Sequence, residues 1–181
     1  LAPATIADAR GMLWPALADP DPVVIFEHAQ LYNLEGELAD PPPAVDIARA
    51  AVRRAGRDAT VVTYGGSLPR AMAAADELAG DGIEAEVIDL RVLRPLDWDT
   101  IVGSLQRTHR LVVVDEGWHT CSLAAEIMAG SSERAFYDLD APPARVCTEE
   151  VPIPYAKHME EAALPMPPKI VAAVRRACGK V

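Results

Sequence analysis

The run Glu86-Val87-Ile88-Asp89-Leu90-Arg91-Val92-Leu93-Arg94-Pro95-Leu96-Asp97 narrows the fold more than any other stretch of the chain. Glu86 to Leu90 reads as a buried strand that ends in a charged turn. A proline then launches a helix from Asp97 to Arg107. A second unit of the same kind follows in Leu111-Val112-Val113-Val114-Asp115-Glu116-Gly117-Trp118, with its strand over Leu111 to Val114. Strand, helix and strand in this order form a crossover unit, which places the strands parallel and lays helices over the sheet.

The same period extends in both directions. Thr60 to Tyr64 is a strand, and after Gly65-Gly66-Ser67 a helix runs to Leu78, stopped by Gly80-Asp81-Gly82. A helix is expected from about Cys121 to Ala129, a short strand over Ala144 to Cys147, and a last helix from Pro168 to Cys178. Upstream, Thr5 to Leu17 reads as a helix with Thr5 as its N-cap, and Asp19-Pro20-Asp21-Pro22 ends it. Val23 to Phe26 is a short strand. The pattern breaks down from Leu34, and Pro41-Pro42-Pro43 is a stiff linker that marks a domain boundary.

Charge excludes one large class of function. The formal net charge is −10, which opposes the phosphates of a nucleic acid. No apolar run approaches the roughly 18 residues of a membrane span. The N-terminus lacks the basic and apolar regions of a signal peptide, and without an initiator Met the chain reads as starting inside a longer protein. Cys121, Cys147 and Cys178 are an odd number with no paired spacing, so reduced thiols in a cytosol-like compartment are expected. Arg outnumbers Lys and Ala is abundant, as in GC-rich bacterial coding sequences. The expected location is the bacterial cytoplasm.

Candidate chemistry gathers after the strands. Gly65-Gly66-Ser67 could hold an anion at a helix N-terminus, but it lacks a nucleotide-binding pattern, and a tight turn is the better reading. Asp115-Glu116-Gly117-Trp118-His119 lies at the carboxyl edge of the sheet, where function usually collects. Glu116 and His119 could pair as acid and base. The plainer alternative is a surface loop whose Trp118 packs on a neighbouring subunit. Cys121, near a helix start, is better read as a small buried residue than as a nucleophile. His28, His109 and His158 share no metal-ligand spacing. From the residues alone this is an acidic α/β module with one interesting sheet edge, and no reaction type follows.

A resemblance goes further. Asp21 to His28 with Leu31-Tyr32, Glu86 to Asp97, Leu111 to Trp118, Ala125-Glu126-Ile127, Leu139-Asp140-Ala141-Pro142 and Val151-Pro152-Ile153-Pro154-Tyr155-Ala156 occur in one order over nearly the whole chain. Together they resemble the β subunit of the thiamine-diphosphate-dependent decarboxylase component of 2-oxo-acid dehydrogenase complexes, most of all its pyruvate dehydrogenase branch. The rival readings are a C-terminal region of transketolase or deoxyxylulose-phosphate synthase, and a non-catalytic binding module. Val151 to Ala156 favours the first reading.

The resemblance implies a three-layer α/β/α transketolase C-terminal-like domain with a mostly parallel sheet over residues 46–181. Residues 1–33 would be the last helix and strand of a pyrimidine-binding domain, and 34–45 the linker. It implies an α2β2 heterotetramer with thiamine diphosphate and Mg²⁺ bound mainly outside this segment, so no catalytic or cofactor-binding residue falls within it. Two family sites do fall inside. A potassium site would use Ala16, Leu17, Asp19 and Asp21, where the family usually has Asn at the last position. A docking site for the basic peripheral-subunit-binding domain of the lipoyl acyltransferase would use Asp140 and the terminal carboxylate of Val181. Glu116, Trp118 and His119 would face a subunit interface. The chain departs from the pattern at His119, where relatives often carry Pro, and at Ser122 and Ala124, where they carry glycines.

Overall fold

A computed structural model describes residues 1–41 and 44–180. Pro42 and Pro43 of the expected linker, and Val181 of the expected docking site, lie outside the described residues.

Five strands form one sheet: β1 (Ala51–Arg54), β2 (Ala59–Thr63), β3 (Ala85–Asp89), β4 (Leu111–Trp118) and β5 (Ala144–Thr148). Their spatial order is β1-β3-β2-β4-β5; β1 is antiparallel to β3 and every other pairing is parallel. The apolar runs at β2, β3 and β4 are buried on both faces, as parallel strands require.

Alternate residues feed two cores. Val61, Val87, Val112 and Val146 face α3 (Leu68–Gly80) and α7 (Pro167–Ala177), meeting Leu78, Ile170 and Val174. Val62, Ile88, Val113 and Cys147 face α4 (Trp98–Thr108) and α5 (Leu123–Ala135), meeting Ile101, Leu105 and Ile127. This period of two is what strand geometry demands. Each fully buried Val, Leu or Ile contributes roughly 1.5–3 kcal/mol, so these two layers supply most of the driving force.

Several elements differ from the expectation. The helix over Thr5 to Leu17 is two helices, α1 (Ile6–Gly11) and α2 (Leu13–Ala18). Pro15 has no N–H to give the Gly11 carbonyl, so the ladder breaks between them. Thr5 caps α1 by accepting from the Asp8 amide at 3.1 Å. Strand β1 and the short helix α6 (Lys157–Ala163) escape the sequence pattern because both are rich in charged residues. Strand β4 runs on to Trp118, with a register shift between Asp115 and Trp118. Cys121 precedes α5 rather than starting it; Ser122 is the N-cap, accepting from Ala125 N at 3.3 Å.

Val23 to Phe26 is extended but builds no continuous strand among the described residues. Leu1 N donates to Val24 O at 2.8 Å, and Phe26 N donates to Leu1 O at 2.9 Å. That is the bonding of a parallel pair. The first residue, the two helices and this segment therefore trace one crossover unit, separate from the five-stranded sheet. Helix α2 buries no residue at all, and Trp14, Leu17, Val24 and Phe26 are exposed.

Polar groups fasten this unit to the sheet. Asp8 on α1 is buried and pairs with Arg53 of β1, while Arg91 approaches its other oxygen at 3.5 Å. Arg53 also bonds Asp89 at 2.8 Å. Burial pushes the Asp89 carboxyl up from the usual carboxylate range, against the pull of Arg53. Arg91 adopts the left-handed conformation, φ 56°, and its guanidinium reaches the carbonyls of Arg49 and Ala50.

Candidate functional site

The sheet order reverses at β2. The chain leaves β2 for β3 on one side, then crosses to β4 on the other. The carboxyl ends of β2 and β4 thus meet at the switch point of the sheet, the usual place for a crevice in such folds. Here β2 ends in Tyr64-Gly65-Gly66, and β4 runs out through Asp115, Glu116 and Trp118.

Asp115 is the hub of this edge. Its side chain is buried and accepts three bonds: from Tyr64 Oη at 2.6 Å, from Gly117 N at 2.7 Å and from Ala124 N at 3.0 Å. The last is an N–H of the first turn of α5, which favours a negative charge. Burial and then the Asp115 bond push the Tyr64 phenol far above its ordinary value, so it stays protonated.

Glu116 points to the N-terminal unit. One oxygen pairs with Arg70 of α3, and the other accepts from His28 Nε2 at 2.7 Å. Arg70 also donates to Gln30 at 3.0 Å. With Nε2 donating, Nδ1 of His28 is buried with no partner among the described residues. The imidazole lies directly on Gly66, where an added Cβ would come within 2.5 Å of His28 Cε1. Gly66 is thus the one residue that admits the ring. The Gly66→Ala variant is expected to expel His28 from Glu116 at a cost of roughly 1–3 kcal/mol. Thermal unfolding, with the His28 ring followed by NMR, checks this; a ring signal unchanged by the substitution would refute it.

His119 is held elsewhere. Its Nε2 accepts from Arg145 Nε at 2.9 Å. Glu116 and His119 therefore have different partners, and the acid–base pair drawn from their spacing is not formed. Trp118 and His119 are exposed and Glu116 is half-buried. A cleft of about 290 Å³ lies at the switch point, walled by Phe26, His28, Tyr64, Gly66, Leu93 and Glu116. Tyr64, Glu116 and His28 Nε2 are each engaged by a neighbour, so the cluster acts as a clamp between the N-terminal unit and the sheet.

The remaining candidates lie apart from this edge. Ala16 and Leu17 are at the C-terminal end of α2, and Asp19 is its C-cap. Asp19 Oδ1 accepts from Asp21 N at 2.9 Å, and both carboxylates are exposed. Helix-end carbonyls and carboxylates are oxygen donors, the kind a hard cation takes. Among the described residues no three His, Cys, Asp or Glu side chains cluster at metal-binding distance. Asp140 sits before β5, exposed, with Arg110 at 3.4 Å. The links from His28 and Arg70 to Glu116 and from Tyr64 to Asp115 are not legible in the sequence, because nothing local ties residues so widely separated.

Comparisons with known proteins place this geometry. The family model "Transketolase, C-terminal domain" matches residues 48–170. The chain is 42% identical over 174 residues to the β subunit of acetoin:2,6-dichlorophenolindophenol oxidoreductase of Cupriavidus necator, which covers 96% of this chain and 52% of the relative. It is 44% identical over 180 residues to the mitochondrial pyruvate dehydrogenase E1 component subunit beta of Dictyostelium discoideum, covering 97% of this chain and 51% of the relative. A solved structure titled "Split gene transketolase, inactive beta4 tetramer" superposes with a TM-score of 0.78 at 25% identity, over 98% of this chain and 56% of that one. The chain spans about half the length of the curated relatives it matches.

Proposed function

The chain belongs to the transketolase C-terminal domain family, and from that premise we propose that it forms part of the β subunit of a pyruvate-dehydrogenase-type enzyme. The observation that carries this reading is its 42–44% identity to such β subunits across 96–97% of its length. The whole enzyme would decarboxylate a 2-oxo acid and pass the acyl group to a lipoyl carrier. Thiamine diphosphate, when bound, supplies the nucleophilic carbon for that chemistry. It and Mg²⁺ would sit mainly on the α subunit and on the first domain of the β subunit.

Within this enzyme residues 1–33 would complete the pyrimidine-binding domain, 34–45 would link, and 46–181 would serve assembly of an α2β2 heterotetramer in the bacterial cytoplasm. The exposed Trp14, Leu17, Val24 and Phe26 fit a unit that packs on further chain. The carbonyls of Ala16 and Leu17 with Asp19 and Asp21 would hold potassium. Glu116, Trp118 and His119 would lie at a subunit boundary. Asp140 and the Val181 carboxylate would receive the basic subunit-binding domain of the acyltransferase, a contact whose rate should fall with salt.

The test is reconstitution. The purified chain with thiamine diphosphate and Mg²⁺ is expected to show no decarboxylase turnover. The full reading frame co-expressed with a cognate α subunit is expected to turn over a 2-oxo acid. Turnover by the chain alone, or none by the full assembly with either pyruvate or acetoin, counts against the reading.

A further inference from the structure

Strand β5 ends the sheet on one side, bonded to β4 alone. Among the described residues no main-chain group of Ala144 to Cys147 bonds to other main chain outside that ladder. The free side opens into a cleft of about 590 Å³ that runs from Ala141 to Glu150 and is walled by α7. An edge of this kind offers unpaired N–H and C=O groups to another strand. The opposite edge is guarded. There β1 has only four residues, its ladder with β3 is irregular, and α1 grips it through Asp8 and Arg53. No proline or lysine interrupts Ala144 to Thr148, and Ala141, Ala144, Ala173 and Ala177 along the cleft let a second backbone come close.

The charges of the cleft are mixed, and they differ from end to end. Helix α7 runs antiparallel to β5. Its last turn lies at the start of the strand, where Arg110 donates to the Ala177 carbonyl at 3.2 Å and reaches Asp140 at 3.4 Å. Its first turn lies at the end of the strand, where Lys169 donates to Glu149 at 2.9 Å. Arg176 therefore stands at one end of the cleft and Glu149 at the other.

Both of these residues have capacity left. Arg176 is exposed and makes no ion pair among the described residues. Glu149 is exposed too; it gives Oε1 to Lys169, and its Oε2 has no partner among the described residues. The other charges are settled within the chain. Glu150 accepts from Thr120 N at 2.8 Å and Thr120 Oγ1 at 2.6 Å and lies near Arg145, which offsets it.

We propose that β5 pairs antiparallel with β5 of a second copy of this chain, so that one sheet runs through both copies across a two-fold axis. Such an axis sets the start of one β5 against the end of the other. Each Arg176 then reaches Oε2 of Glu149 in the other copy, and Glu149 bridges it to its own Lys169. The contact is made twice, because the same patch serves both copies. A partner of one charge sign would match the cleft at one end and oppose it at the other. A reversed copy of the same cleft matches at both. The contact does not depend on which reaction the whole protein serves, so its failure and that of the enzymatic reading are separately visible.

Sedimentation equilibrium of the purified chain tests this. A monomer–dimer equilibrium is expected, with amide exchange at Ala144 to Cys147 slowing as concentration rises. Arg176→Glu and Glu149→Arg each set like charges together twice per dimer. Each alone should weaken dimerisation roughly tenfold at low salt. Mixed in equal amounts, the two variants should form a heterodimer about as tight as the parent dimer, because every reversed charge then meets its opposite. A misfolded variant could not do this. A parent chain that stays monomeric, single variants that dimerise like the parent, or a mixture that stays monomeric overturns the proposal. A dimer that survives both reversals and is lost on Leu17→Glu overturns it in favour of the exposed face of α2.

Discussion

The Gly56→Ala variant is expected to lose about 3 kcal/mol of stability or fail to fold. Gly56 lies in the turn between β1 and β2. An added Cβ would stand 2.2 Å from Glu86 N, 2.3 Å from Ala85 C and 2.5 Å from Glu84 O. All three are main-chain atoms of β3 and its approach, and β3 lies between β1 and β2. The turn is also fastened there: Arg57 N and Asp58 N donate to Glu84 O at 2.9 and 3.0 Å, and Glu84 N donates to Asp58 Oδ2 at 2.7 Å. Backbone held by two ladders cannot yield without breaking their bonds. Gly130 is the informative comparison. Its Cβ would meet Trp98 Cη2 at 2.2 Å, but that is the far end of a side chain that can swing. Gly130→Ala should therefore cost less than Gly56→Ala in urea unfolding. The reverse ranking would mean that the β1–β2 turn does not pack as described.

Asp115→Ala should cost a comparable amount, about 3–5 kcal/mol, because it leaves the donors of Tyr64, Gly117 and Ala124 without an acceptor at a buried edge. Asp115→Asn keeps one oxygen acceptor and should fall between the variant and the parent. A second readout separates this from general damage. With the carboxylate gone, the Tyr64 phenol loses one of the causes that raise it, burial being the larger. Its titration should then move down toward the ordinary tyrosine value while the chain stays folded in the Asn variant. Unfolding curves within about 1 kcal/mol of the parent for Asp115→Ala would show that water replaces the lost acceptor.

Strands β2, β3 and β4 were legible because burial on both faces writes a continuous apolar run. Strand β1 was not, since Ala51-Val52-Arg53-Arg54 reads as a charged loop. Its arginines are spent on Asp8, Asp89 and Asp76, carboxylates brought near only by the fold. The broken first helix was legible in principle from Pro15, whose missing N–H acts four residues upstream. The switch-point edge is legible in the strand pattern, but its partners are not. Spacing along β4 offers Glu116 only its neighbour His119 as a possible partner beside the plainer surface-loop reading, whereas the fold brings His28 and Arg70 to it from two other elements. The charged turn after β3 is spent the same way: Asp89 and Arg91 fasten β1 and α1. The resemblance named the relatives well, because its motifs mark strand ends and turns that the fold keeps fixed.

The way the N-terminal unit is fastened sets how stability is spread through the molecule. Its grip on the sheet is largely polar, through Asp8, His28 and the Ala2 amide on the Arg91 carbonyl at 2.7 Å, with Ala4 reaching the apolar core. The five-stranded sheet, by contrast, is sealed between two apolar layers. Helix α2, with nothing buried, belongs to the part that opens first, while β2 and β3 open only when everything does. The chain is thus a slow-opening body carrying a fast-opening arm, and a protease would meet the arm first.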